Sequence, residues 1–358
     1  MTALLKKYTA IKYAVALAAA MLLASTVSCH HIEDYDNTAT DNFELLWKLF
    51  DEHYCFFGQK GDVDWNEVHG RYAARVDACS TYRELFTLCA NMCNELRDGH
   101  VNLSSSFATS YYKEWWSDYP QNYDKRVVEE NYLFFRGTQV GPITYAVLPQ
   151  NVAYVSIPTF ATGIGEGNLD WVLAYLQTCS GLIVDVRDNG GGSMTNVETW
   201  VSRFLRQRTL VGYIMHKTGP GHTDFSEPYA YYYAPPADRQ LWTKPVAVLT
   251  NRSTFSAANN FVSVMKLLPG VTVIGDTTGG GCGMPLTFDL PCGWTVRMSA
   301  APVLDARGNP TEFGVDPTPG YDIDITAMDT AVGRDPILEA AVALLSGNSG
   351  GMPVQTAR

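Results

Sequence analysis

The sequence predicts an α/β fold: a mostly parallel sheet with crossover helices, preceded by a small helical domain. Three observations carry this. Short apolar runs, "NVAYVSI" from Asn151, "GLIVDV" from Gly181, "PVAVLT" from Pro245 and "VTVIG" from Val271, have the length and β-branched content of buried strands. Stretches with helical spacing lie between them: "LDWVLAYLQTC", "TNVETWVSRFL" and "AANNFVSVMKLL". Strand and helix alternating in this way call for parallel strands joined by helical crossovers. Upstream of residue 99 the periodicity is helical instead.

Length and composition set the outer bounds. The chain has 358 residues, 46% apolar and 18% charged, which suits one large domain or two modest ones. The formal net charge of −11 comes with no Lys/Arg-rich stripe, so neither nucleic acid nor an anionic membrane surface is an expected partner.

The first residues form a segment of their own. Lys6, Lys7 and Lys12 make a basic start, and Ala14 to Ala24 an apolar run too short to span a bilayer. This reads as a secretory signal over residues 1–28. "TVSC" resembles a bacterial lipobox, with Thr26 where Leu is usual, which implies lipidation at Cys29 and a tether over residues 29–40. Loss of the signal removes three lysines and no acid, leaving a charge of −14. Acyl chains anchor a protein without a membrane-spanning helix, so the expected location is the bacterial cell envelope, with membrane contact through the lipid alone.

Eight cysteines leave an odd seven once Cys29 is set aside, which is no complete disulfide framework. Cys89 and Cys93 fall one helical turn apart and read as core; Cys282 and Cys292 flank a hairpin and could pair in an oxidising envelope. The histidines are scattered and no paired C-x-x-C occurs, so no metal site is expected. No motif calls for a cofactor.

Between residues 41 and 98, Phe43, Leu46, Leu49 and Phe50 mark one helix behind a Thr40 or Asp41 cap. Leu85, Phe86, Cys89, Met92 and Leu96 mark a second, from about Tyr82, that stops at Gly99. Residues 99–150 read as an irregular, aromatic-rich connection. Residues 151–345 form the α/β core, with a hairpin of "MPLTFDL" and "WTVRMSA", and residues 346–358 a loose tail.

Four stretches could carry chemistry. In "TNRSTFSAANNF" a strand gives way to a helix, the junction where open α/β sheets collect ligands. Ser256 there is either a helix cap or an exposed nucleophile beside unpaired N–H groups; the G-x-S-x-G elbow is absent. Gly190, Gly191 and Gly192 end another buried strand, as a tight turn or as a close backbone approach to a ligand. "LRDGHVNL" places His100 beyond a helix end with Asp98 two residues before it. "GNPTEFGVDPTPG" places Glu312 in a loop.

The order D-G-H, D-V-R-x-N-G-G-G, T-F-S-A-A, T-x-G-G-G, E-x-G-V-x-P resembles the C-terminal processing and tricorn-type serine peptidases, a group that also holds the tail-specific proteases and the modules of interphotoreceptor retinoid-binding protein. The resemblance spans residues 41–345 and implies a crotonase-like ββα-spiral peptidase core preceded by a helical domain. The processing branch uses a Ser-Lys dyad whose lysine would fall at or beside Gly281. No lysine is there, and Lys266 lies about 15 Å along the helix that starts after Ser256. The tricorn branch uses Ser, His and Glu, which map onto Ser256, His100 and Glu312. The resemblance thus implies Ser256 as nucleophile, His100 as general base and Glu312 as the carboxylate that orients it. It further implies an oxyanion site of the Ala257 N–H with that of Gly190 or Gly191. The Ser that tricorn-type chains carry beside the His is Gly99 here. The connection after His100 is too short for a PDZ module at ordinary domain sizes.

The expected activity is endopeptidase cleavage of peptide or protein substrates. The rival is a non-catalytic envelope lipoprotein that binds peptide, glycan or an apolar ligand on the same fold; a third reading is an esterase. The aromatic runs Tyr111 to Tyr123 and Tyr229 to Tyr233 pack a long insertion or line a cleft.

Overall fold

The computed structural model describes residues 35–347. The signal segment, Cys29 and all but the first two residues of the expected tail lie outside the described residues.

In chain order the strands are β1 (Asn102–Ser104), β2 (Thr109–Tyr111), β3 (Thr138–Val140), β4 (Ile143–Val147), β5 (Ala153–Ser156), β6 (Leu182–Asp185), β7 (Thr209–Ile214), β8 (Tyr229–Tyr233), β9 (Val246–Thr250), β10 (Val271–Gly275), β11 (Gly283–Asp289) and β12 (Thr295–Asp305). The main helices are α1 (Ala39–His53), α2 (Trp65–Ala73), α3 (Tyr82–Asn94), α4 (Glu166–Leu176), α5 (Met194–Val201), α6 (Ala257–Met265) and α7 (Pro336–Leu345).

One sheet has the order β10-β9-β6-β5-β4-β3. Its first four strands are parallel, in register through Ala153–Leu182, Leu182–Val246 and Val246–Val271. Side chains alternate across a strand, and here both faces are covered. Val155, Val184, Val248 and Val273 pack against α4, α5 and α6, while Tyr154, Ile183, Ala247 and Ile274 pack against Ile337, Leu338 and Ala341 of α7. Double coverage explains why these strands read as continuous apolar runs rather than alternating ones.

The second sheet is antiparallel, in the order β2-β1-β12-β7-β8 with β11 also on β12. The helical segment packs on it: Phe43, Leu46 and Phe50 of α1, with Leu85, Cys89 and Met92 of α3, share a core with Leu103, Val296 and Met298. A capping box closes the start of α3, Thr81 accepting from the Glu84 N–H while Glu84 accepts from the Thr81 N–H. With the α/β sheet and the helical segment, this is the ββα-spiral architecture that the resemblance implies.

Three expectations change. The connection over residues 99–150 is not wholly irregular: β3 and β4 form a hairpin that extends the parallel sheet antiparallel to β5. Helix α2 was not predicted; Asp64 caps it and Trp65 and Val68 anchor it. Cys282 and Cys292 are both free thiols. They stand at opposite ends of the β11 strand, about 20 Å apart at the rise of an extended chain.

Candidate active site

The carboxyl ends of β6 and β9 bring two loops together. The Phe255 N–H donates to the Asn189 carbonyl (3.0 Å), the Thr254 hydroxyl to the Val186 carbonyl (2.9 Å), and the Asn251 side-chain amide to Asp188 Oδ1 (2.7 Å). Thr254 is fully buried in this suture, which removes it as a nucleophile.

Ser256 stands at the N-cap position of α6, but its side chain makes no capping bond. Its backbone has φ 57° and ψ −121°, a conformation that L-residues rarely hold unless the surroundings impose it. Its N–H is fixed to the Gly280 carbonyl at 2.8 Å, and the turn aims Oγ at His100 rather than at the helix. The Ser256 Oγ to His100 Nε2 distance is 2.9 Å, across 156 residues of sequence.

His100 is 2% exposed. Its N–H donates to Asp98 Oδ1 at 2.7 Å, and its ring lies 4.7 Å from that of Phe255. Burial lowers its pKa to about 4, with Asp98 opposing and Arg297 and Lys60 adding to the shift. The imidazole is therefore neutral at physiological pH, the form a general base requires.

The glycine loop lies against the Ser256 turn. A Cβ on Gly191 would come within 2.8 Å of Ser256 Cβ and of the Ala257 nitrogen, and Gly191 has φ +99°. Its N–H is already bonded to Asn189 Oδ1 (2.9 Å). Among the described residues the Gly190 and Ala257 N–H groups have no acceptor, so of the two expected glycines it is Gly190 whose donor is free.

Glu312 is buried close by, yet its oxygens face elsewhere. Oε2 accepts from the Cys282 N–H (2.9 Å), and Oε1 lies 3.4 Å from Lys60 Nζ. Among the described residues His100 Nδ1 has no partner, so the expected Glu312–His100 contact is not made here. Burial, and next the nearby Asp98, raise the Glu312 pKa to about 8 against the pull of Lys60. Burial also pushes Asp98 up, but Lys60, the His100 ring and its hydrogen bonds hold it below the ordinary carboxylate value. The cluster thus contains one firmly ionised carboxylate and one that keeps its proton.

Among the described residues no lysine side chain bonds to Ser256, whose Oγ partner is His100. Lys266 donates to the Asp316 carbonyl (2.7 Å). At Gly281 even a Cβ would meet the Phe255 ring at 2.4 Å, so the position expected for a Ser-Lys base admits no side chain.

Part of the aromatic connection borders the site. Trp115 stacks on Phe255 at 4.2 Å, and its carbonyl accepts from Arg252 Nε (2.7 Å). Trp115, Phe255, Gly99, Arg252, Lys60 and Glu312 line a cavity of about 240 Å³. Sequence reasoning gave Lys60 no role, took in Asn189 only as a letter of the glycine-loop motif, and placed Trp115 only within an aromatic run that packs an insertion or lines a cleft. Among the described residues no group of acidic, His or Cys side chains is placed to hold a metal ion.

Comparison with known proteins gives the family. Residues 151–320 match the model of peptidase family S41, and residues 35–94 that of the tricorn protease C1 domain. Ser256 and Glu312 fall inside the first segment and His100 inside neither. The crystal structure of a candidate peptidase from Parabacteroides merdae is 47% identical, covers 88% of this chain and all of its own, and superposes with a TM-score of 0.82. The carboxy-terminal processing protease CtpA of Bacillus subtilis is 29% identical over 44% of this chain and 32% of its own length. A candidate tricorn protease homolog of Streptomyces coelicolor is 32% identical over 53% of this chain and 15% of its own. The chain therefore spans a third or less of the curated relatives it matches. Mature CPAF, at 13% identity and a TM-score of 0.66, shares the fold. On these matches, and with the ββα-spiral core in place, the chain belongs to peptidase family S41.

Proposed function

We propose that the protein is a serine endopeptidase in which Ser256 is the nucleophile and His100 the general base. The observation that carries this is the 2.9 Å contact between Ser256 Oγ and His100 Nε2, held by a buried neutral imidazole and a strained serine. As Oγ attacks the scissile carbonyl, Nε2 takes its proton and later returns it to the leaving amine; water then releases the acyl group from Ser256. The Ala257 and Gly190 N–H groups face the developing oxyanion, each worth about 3 kcal/mol of barrier. Gly191 lets that loop lie against the serine. Glu312 serves His100 in its ionised form, reached above about pH 8, when a carboxylate oxygen turns from its present partners to accept from Nδ1–H and so fixes the tautomer that leaves Nε2 free. Cleavage of peptide or protein chains is the reading favoured by family membership, and Cys29 is proposed as the lipid attachment that ties the enzyme to the cell envelope.

A fluorophosphonate probe tests the core of this reading. Folded wild type labels, and Ser256→Ala and His100→Ala do not. A folded wild type that stays unlabelled overturns it in favour of a non-catalytic binding protein, and labelling that survives Ser256→Ala moves the nucleophile elsewhere. Metabolic labelling with a fatty acid, lost in Cys29→Ala, tests the anchor.

A further inference from the structure

One buried cation stands beside this machinery without a role in it. Lys60 follows α1 in the helical segment and is 8% exposed. Its Nζ lies 3.4 Å from Glu312 Oε1 and 3.6 Å from Asp98 Oδ2, and it donates to the carbonyls of Leu96 (3.2 Å) and Arg97 (3.4 Å). The Tyr54 and Phe56 rings flank it at 5.7 and 5.9 Å. Asp98 in turn accepts from the Tyr54 hydroxyl (2.9 Å), the Ser299 hydroxyl (3.0 Å) and the His100 N–H (2.7 Å). Every oxygen around Nζ thus belongs either to a carboxylate of the His100 cluster or to the backbone that leads into His100. A solvated lysine has no reason to be drawn in among these groups, since an ion leaves water only for partners that replace it.

We propose that Lys60 is a positioning residue for the Ser256–His100 pair, clamping Glu312 to Asp98 and so supplying, from the helical segment, the charge that holds the orienting carboxylate of the peptidase core. This rests on the proposed triad and deepens it. The groups that face Glu312 are Lys60, Asp98, Tyr54, Cys55 and Cys282, with Arg297 acting on the His100 side. Lys60 is the cation among those that face Glu312. With its charge removed, Glu312 keeps its proton to higher pH, and a neutral carboxyl, though its carbonyl oxygen still accepts from Nδ1–H, does not offset the charge of the imidazolium that forms. Turnover then falls at neutral pH and returns as the pH is raised. A merely structural lysine would lower activity by the same factor at every pH.

The test follows the rate of fluorophosphonate labelling of Ser256 against pH in wild type, Lys60→Arg, Lys60→Met, Glu312→Gln and the double variant Lys60→Met/Glu312→Gln. Lys60→Met is expected to label about ten-fold more slowly near neutral pH, with its midpoint moved up by about one pH unit or more, and Lys60→Arg to keep the wild-type midpoint. In the Glu312→Gln background, removal of Lys60 has no further effect on labelling. If Lys60→Met folds and labels at the wild-type rate, or slows equally at all pH, the proposal is overturned while the triad stands. Should Lys60→Met not fold, the comparison within the Glu312→Gln background decides, and a further pH-independent loss there refutes the clamp. A folded wild type that does not label removes the triad and the clamp together.

Discussion

Gly99 occupies the place where tricorn-type chains carry a serine, and here a serine does not fit. A Cβ at residue 99 would stand 2.6 Å from Trp115 Nε1 and 2.9 Å from Phe255 Cζ, about 1 Å inside ordinary van der Waals contact. Phe255 is buried in the suture next to Ser256 and cannot yield. Trp115 is half-buried and can, at the loss of its stack on Phe255, worth about 0.5–1.5 kcal/mol. Adding the residual crowding, Gly99→Ser is expected to destabilise by about 1–3 kcal/mol. In a Trp115→Ala background the cost of the same change should fall by about 1 kcal/mol, the part due to the indole, while the contact with Phe255 remains, so the two positions couple by about 1 kcal/mol. Urea unfolding of the wild type, both single variants and the double measures this cycle. An equal cost of Gly99→Ser with and without Trp115 would refute the account, for the ring would then not be what keeps residue 99 bare.

Four further outcomes follow. The wild-type labelling rate should show no inflection near pH 6.5, since His100 titrates at about 4; it should instead rise through about 8, where Glu312 ionises, falling about ten-fold per pH unit below that. A single midpoint at 6.5 would contradict this. Because the folded pKa of His100 is depressed, its contribution to stability is present above 6.5 and lost as pH falls toward 4, about 3 kcal/mol in all, readable as a drop in Tm absent from His100→Gln. Ser256→Gly should be more stable than Ser256→Ala by about 1 kcal/mol, because glycine accepts the backbone at φ 57° that alanine does not; equal melting temperatures would show the turn to be unstrained. Arg187 bonds Asp185 and Asp335, all three buried; Arg187→Met strands two carboxylates and should cost about 3–5 kcal/mol, and a loss below about 1 kcal/mol in denaturant titration would argue against it.

The α/β core was legible because strands covered on both faces leave continuous apolar runs, and α4, α5 and α6 show their period plainly. Taken by itself Ser256 read as a junction residue, and the family resemblance alone made it a nucleophile paired with His100; that its side chain turns from the helix to His100 depends on φ and ψ, which composition does not encode. The β3–β4 hairpin was hidden because Gly141 and Pro142 punctuate strands of three and five residues, too short for alternation to stand out among the aromatics. Lys60 was invisible for a different reason. It sits in "FGQKGD", a stretch indistinguishable from a solvated turn, and only its contacts with Asp98, Glu312 and the Leu96 and Arg97 carbonyls make it internal. Glu312 shows the converse: the motif located it, while the hydrogen bond it accepts from the Cys282 N–H and its ion pair with Lys60 come from other chain segments, 30 and 252 residues away in sequence.

The core shared by α1, α3 and β12 has a consequence for how the molecule comes into being. Phe43, Leu46 and Met92 are buried against Val296 and Met298, so the first hundred residues cannot complete their interior until the last third of the chain has been made. Contacts of such sequence separation close late. Asp98 waits for Ser299 and Lys60 for Glu312 in the same way. A nascent or truncated chain can therefore build much of its parallel sheet, and even the turn that bears the serine, while remaining chemically inert, and reactivity arrives with the final closure of the fold.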